Sequence, residues 1–156
     1  MSEHDDDEDE DGPVYSPSDD ELRRIYADTR TIAVVGASGN PSKAAYSIPR
    51  YLQSQGYRII PVNPSGGTIH GEPARAALSE IDEPIDVVDV FRPAAETPGV
   101  ARAAVAAGAK VLWLQEGIYN DEARAIGEDA GLTVIMGKCM GATHWTLIGE
   151  GSRGGV

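Results

Sequence analysis

Thr31-Ile-Ala-Val-Val-Gly-Ala-Ser-Gly-Asn-Pro-Ser-Lys43 is the stretch on which the reading of this chain turns. Its first half is apolar and β-branched, the composition of a strand buried on both faces. Its second half is made of small residues, and Gly36 and Gly39 can take backbone angles closed to other residues. A loop of this kind, leaving the carboxyl end of a first parallel strand, is a frequent phosphate cradle. Short glycine-rich turns also end strands for steric reasons alone, so both readings stay open at this point.

Outward from this stretch, Val- and Ile-rich runs alternate with helical segments. Strands are expected at residues 31–35, 57–62, 86–91, 110–114 and 133–136. Upstream, Ser18 and Glu21 form a capping box that starts a short helix reaching about residue 28, with Leu22 and Ile25 on one side. A second helix is expected at 47–55, because Pro49 is tolerated only in a first turn; residues 36–46 are then a long loop. An extended piece at 68–71 and a helical turn at 74–79 follow, with helices at 98–107 and 120–130 ended by Gly108 and Gly131. Alternation of this kind implies an α/β, doubly wound (Rossmann-like) fold. Its five-stranded parallel sheet carries helices on both faces, in an expected order of 3-2-1-4-5.

The chain has 156 residues, enough for one domain with a real core. Its net charge of −12 is unevenly spread: residues 1–11 hold eight acids and no Lys or Arg. The expected organisation is an acidic disordered tail at 1–17, a ligand-binding domain at 18–148 and a flexible glycine-rich end at 149–156. A net-acidic domain is a poor candidate for nucleic acid. No apolar run approaches the ~20 residues of a membrane helix, and the N-terminus is no signal peptide. Cys139 is the one cysteine, which excludes an intramolecular disulfide and suits the cytoplasm. His4, His70 and His144 lie far apart, so no metal site is expected.

In a doubly wound sheet, ligands bind beyond the carboxyl ends of the strands. The segments leaving those ends are 36–43, 62–64, 91–93 and 115–117, rich in Gly, Pro, Asn or Gln, with Lys43 and Arg92 as cations and Glu116 as the acid. That is chemistry for a phosphorylated ligand. A nicotinamide dinucleotide would require G-x-G-x-x-G and then an acid at the end of strand two. The loop departs from that spacing, and Val62-Asn63-Pro64 stands where the acid belongs. An NAD(H)-binding domain therefore remains only an alternative, and a ligand bearing a ribose phosphate fits better.

The residues Ala33-Val-Val-Gly-Ala-Ser38, Lys43, Gly56-Tyr57, Ile60-Pro-Val-Asn-Pro64, Asp89-Val-Phe-Arg-Pro93, Trp113-Leu-Gln-Glu-Gly-Ile118 and Cys139 resemble the small single-domain CoA-binding protein family. That family is similar to the N-terminal domain of the succinyl-CoA synthetase α subunit. The resemblance implies a cofactor, coenzyme A or an acyl-CoA, held along the strand ends. Gly36, Ala37, Ser38, Gly39 and Asn40 with Lys43 would hold its phosphates, and Val62, Asn63 and Pro64 would lie along the adenosine. Phe91, Arg92 and Pro93 with Gln115, Glu116 and Gly117 would flank the pantetheine, and Arg58 would reach a phosphate. The resemblance does not carry over the synthetase's catalytic histidine or its ATP-grasp partner. Ligation by this chain alone is not expected, and the implied partners are a ligase-type subunit or a second copy of the chain.

Outside that constellation no acid–His–nucleophile set is legible. Cys139 reads as a small buried side chain or as a thiol able to exchange with that of CoA. His144 reads as a packing or surface residue, and Trp113 as core.

Overall fold

The computed structural model describes residues 14–149; the acidic run 1–13 and the end 150–156 lie outside the described residues. In chain order the helices and strands are α1 Asp19–Asp28, β1 Thr31–Val35, α2 Ala44–Ser54, β2 Arg58–Val62, β3 Thr68–Ile69, β4 Glu72–Pro73, β5 Val87–Val90, α3 Thr97–Ala106, β6 Val111–Leu114, α4 Asp121–Asp129, β7 Thr133–Ile135 and α5 Met140–Leu147. Five of them, β2-β1-β5-β6-β7, form one sheet in that order, and every pair is parallel. β3 and β4 make a separate small hairpin.

Side chains alternate across the strands, so each strand feeds both faces of the sheet. Ala33, Val88, Val90, Leu112, Leu114 and Val134 form one face and meet Ala101 and Ala104 of α3 and Ala123 of α4. Ile32, Val34, Ile59, Val87, Trp113 and Ile135 form the other, beneath Leu22 and Tyr26 of α1, Leu52 of α2 and Met140 of α5. The doubly wound α/β class expected from the sequence is thus present.

The order is of the expected 3-2-1-4-5 style, but the run that fills third place is not the expected one. The place beyond β2 holds only a single parallel bridge between Val62 and Arg75. The run at 86–91, expected there, is β5 and lies between β1 and β6. Pro61 gives the reason. It has no N–H to donate, and its carbonyl points outward to Arg75 N at 3.0 Å. β2 is therefore the last full strand on its side of the sheet.

Three local readings also change. α2 begins at Ala44, which leaves Pro49 inside the helix. In α1, Leu22 and Ile25 share one side as expected, Ile25 partly buried against the cluster that holds Leu22; Tyr26 is buried there too, and its hydroxyl donates to the Met140 carbonyl at 2.7 Å. The sequence reading missed α5 altogether, since its apolar residues follow no one-sided period and its buried positions are Met140, Gly141 and His144. At the other end, Tyr15, assigned to the tail by composition, exchanges both backbone hydrogen bonds with Met136 at 3.0 and 2.8 Å.

Candidate functional site

The loop after β1 is held by partners on three sides. Gly36 donates its N–H to the Val62 carbonyl at 3.0 Å, and its φ of 89° suits only glycine. A Cβ there would come within 2.7 Å of the Phe91 carbonyl oxygen and 2.9 Å of Arg92 Cδ. Gly36 thus marks the point where the chain ends of β1 and β5 pass each other, the switch point of this sheet. Asn63 Nδ2 donates to the Ala37 carbonyl at 2.8 Å, tying the turn after β2 to the same loop.

The far half of the loop is braced by its own side chains. Asn40 N–H donates to Ser38 Oγ at 3.0 Å, and Asn40 Oδ1 accepts from the Ser42 N–H at 3.0 Å and its hydroxyl at 2.9 Å. The Ser38 N–H reaches the Ala45 carbonyl at 3.1 Å. Lys43 is the N-cap of α2 but makes no side-chain cap; its carbonyl accepts from the Tyr46 N–H at 3.0 Å, and the Ala44 and Ala45 amides have no acceptor among the described residues and face the end where an anion could bind.

Two clefts open along the carboxyl edge and share Arg92. The first, of about 670 Å³, is lined by Gly36, Val62, Asn63, Pro64 and Ser65 on one side and by Gly99 and Ala103 of α3 on the other. The second, of about 570 Å³, lies between Lys43, Ala45 and Ile48 on one wall and Phe91, Gln115 and Cys139 on the other. Pro93 and Glu116 also line the second. Arg92 is pre-oriented by a two-pronged pair with Glu96, Nε to Oε1 at 2.9 Å and Nη2 to Oε2 at 3.0 Å. That pair raises the Arg92 pKa and lowers that of Glu96. Among the described residues Lys43 has no ion-pair partner.

The structure brings together most of the residues singled out from the sequence. Gly36, Val62, Asn63, Pro64, Phe91, Arg92, Pro93, Lys43, Gln115 and Glu116 line one cleft or both. Ala37, Ser38, Gly39, Asn40 and Gly117 line neither; the first four belong to the braced loop, and Gly117, at φ 82°, forms the turn after β6. Arg58 stands apart. It opens β2, at the amino end of the strands, and its guanidinium pairs with Glu83 at 2.6 and 2.7 Å and with Glu72 at 3.1 and 3.2 Å. Those pairs push its pKa up and hold both carboxyls below their ordinary range.

Sequence reasoning missed the wall that α3 supplies. Gly99 and Ala103, four residues apart on one helix face, leave room that larger side chains would fill. It also missed Asp89, a carboxyl buried in the middle of β5 whose Oδ1 accepts from Gln115 Nε2 at 2.7 Å. Burial raises the Asp89 pKa to about 7, against the opposing pull of the Gln115 hydrogen bond and of the nearby Val90 amide dipole. Cys139 is half-buried, and its Sγ caps α5 by accepting from the Ala142 N–H at 3.3 Å. Burial pushes its thiol up, with the Ala142 and Gly141 amides opposing. His144 is interior: its Nδ1 lies 2.9 Å from the Tyr51 hydroxyl, and Tyr26, Tyr51 and Tyr57 meet its ring edge-on. Trp113 is fully buried, as expected.

Among the described residues no group of three or more His, Cys, Asp or Glu could hold a metal, and no helix is long and apolar enough to cross a membrane. The edge offers open amides, two cations and two joined clefts, which suits an elongated ligand carrying phosphate at its middle.

Known proteins are similar to this chain in sequence and in fold. An uncharacterized protein of Bacillus subtilis strain 168 is 40% identical over 131 residues, covering 84% of this chain and 97% of that one. A hypothetical protein from Pyrococcus horikoshii OT3 has a solved structure that superposes with a TM-score of 0.85 at 34% identity, covering 88% of this chain and 97% of that one. The α subunit of an ADP-forming acetate–CoA ligase from Pyrococcus furiosus is 35% identical over 89 residues, covering 53% of this chain but only 19% of the subunit. Residues 30–145 match the CoA binding domain family, and the chain belongs to that family.

Proposed function

We propose that this protein binds coenzyme A or an acyl-CoA along the carboxyl edge of its sheet, and that it does so without catalysing a reaction on its own. The observation that carries this reading is the junction at Gly36 and Arg92, where two clefts meet at the switch point. CoA is long, with a nucleotide at one end, phosphate in the middle and a thiol at the other. The adenosine occupies the first cleft beside Val62, Asn63 and Pro64. The diphosphate crosses at Gly36 with Arg92 and Lys43 as counter-charges, and the pantetheine descends into the second cleft between Phe91 and Gln115. Family membership supports the ligand class.

Isothermal titration with CoA, dephospho-CoA and NAD tests the reading. CoA should bind best, and equal affinity for CoA and NAD, or none for CoA, would sink it. A second reading is favoured by the likeness to a ligase subunit. In it the chain delivers CoA to a separate ligase subunit, and affinity capture that retains no such subunit would count against it.

A further inference from the structure

Asp89 is fully buried, on the same face of β5 as Val87, where α1, α2 and α5 pack. Only one of its oxygens is satisfied: Oδ1 accepts from Gln115 Nε2 at 2.7 Å, while Oδ2 has no partner among the described residues. A half-satisfied carboxyl in a core is costly, and the packing of Val34 and Trp113 beside it does not call for one. Gln115 is its link to the outside, because Gln115 forms part of the wall of the second cleft. With Nε2 committed inward, Oε1 is the acceptor this amide has left to offer.

We propose that Asp89, as a positioning residue acting through Gln115, sets whether the second cleft offers a hydrogen-bond acceptor or a donor, and so discriminates a free thiol from a thioester. The inference rests on the CoA reading given above. An ionised Asp89 can only accept, so it holds Nε2 and leaves Oε1 for a thiol S–H in the cleft. A proton taken from solvent onto Oδ2 changes the geometry that is best satisfied. A carboxylic acid and a primary amide can close a two-bond ring, Oδ2–H to Oε1 and Nε2–H to Oδ1. That ring gives Oδ2 the partner it lacks. It also turns Oε1 away from the cleft and leaves the second Nε2 hydrogen facing it, a donor suited to a thioester carbonyl.

Burial places the change near neutral pH, since it raises the Asp89 carboxyl to about 7. The titratable groups facing Asp89 are Tyr26 from α1 and Cys139 at the head of α5, and burial raises both, keeping them uncharged there. His144 of α5 packs on Tyr26 with its pKa lowered by burial. Lys43 ahead of α2, Arg92 and Glu116 are the charged side chains of the cleft itself.

Isothermal titration of the full chain with CoA and with acetyl-CoA, from roughly pH 5.5 to 8.5 on either side of about 7, reads the ratio of the two affinities. Titration of the shared phosphates cancels in that ratio. The ratio should favour CoA at the alkaline end and move towards acetyl-CoA by about three- to tenfold at the acid end, the worth of one neutral hydrogen bond. Asp89→Asn, which cannot titrate, and Gln115→Met, which removes the amide, should each make the ratio independent of pH; either suffices if the other does not fold. A flat ratio in the parent, with both ligands bound, overturns the inference alone, as does a slope that persists in a folded variant. Failure of both ligands to bind at any pH overturns the CoA reading and the inference with it.

Discussion

Ser38 and Pro49 are joined through a single carbonyl. Pro49 lacks the N–H that would bond the carbonyl of residue 45, four positions back in α2, and that oxygen accepts from the Ser38 N–H at 3.1 Å instead. A proline that costs a helix one hydrogen bond thus anchors the loop that follows β1. Pro49→Ala should restore a competing donor within the helix. The Ser38 amide should then exchange with solvent several-fold faster, and CoA should bind roughly three- to tenfold more weakly, the range of one neutral hydrogen bond. Hydrogen exchange read by NMR checks the first effect and calorimetry the second.

Gly36 tolerates no side chain. Its φ of 89° opposes one, and so does the Phe91 carbonyl oxygen, which would stand 2.7 Å from an added Cβ. Gly36→Ala should cost about 1–3 kcal/mol from the backbone conformation alone, with the clash adding to it. Urea denaturation measures the loss, and a variant as stable as the parent would show that the β1–β5 junction relaxes freely.

Lys43 and Arg92 flank the second cleft and are exposed. Replacing either by alanine should weaken CoA roughly 10- to 100-fold, the range of one charged hydrogen bond at about 1.5–3 kcal/mol. Thermal stability should change little in either case. Arg124→Ala provides the comparison: Arg124 packs 4.8 Å from the Tyr15 ring centroid, lines neither cleft and should leave binding intact. Calorimetry on the three variants decides, and normal binding by Lys43→Ala would remove the phosphate role of this loop.

Arg58 is engaged elsewhere, with Glu72 and Glu83. Arg58→Ala should therefore leave CoA affinity unchanged and lower stability by no more than about 1 kcal/mol, the scale of exposed ion pairs. The loss should shrink as salt rises. A tenfold loss of CoA affinity would instead restore a ligand role to this arginine.

Asp89 makes stability depend on pH in an unusual sense for a carboxyl. Its folded pKa of about 7 lies above the ordinary aspartate value of 3.8, so between these values the folded chain holds a proton that the unfolded chain has released. Its contribution is fully present below the unfolded pKa and is lost as pH rises through the folded one. Asp89→Asn should flatten that slope, and urea midpoints measured across this range would show it. An unchanged slope would place the titration on another group.

The layered α/β plan was legible from the chain alone, because alternating Val- and Ile-rich runs with helical segments have one efficient way to bury both faces of a sheet. So was the gathering of the candidate site residues on one edge: parallel strands bring their carboxyl ends to one side, and the glycines, prolines and cations that follow them travel there together. The run at 86–91, expected beyond β2, lies instead between β1 and β6, since pairing is a choice among distant partners and Pro61 removes a donor from the outer side of β2. Nor does sequence spacing reveal that Arg58 is engaged by Glu72 and Glu83, that the carbonyl freed by Pro49 holds Ser38, or that Asp89 lies in the core bonded to Gln115. Each of these depends on which groups separated by many residues come within hydrogen-bonding distance and how deeply they are buried. Composition and periodicity report on neighbours along the chain, whereas those contacts and the pKa values they set exist only once the sheet has closed around them.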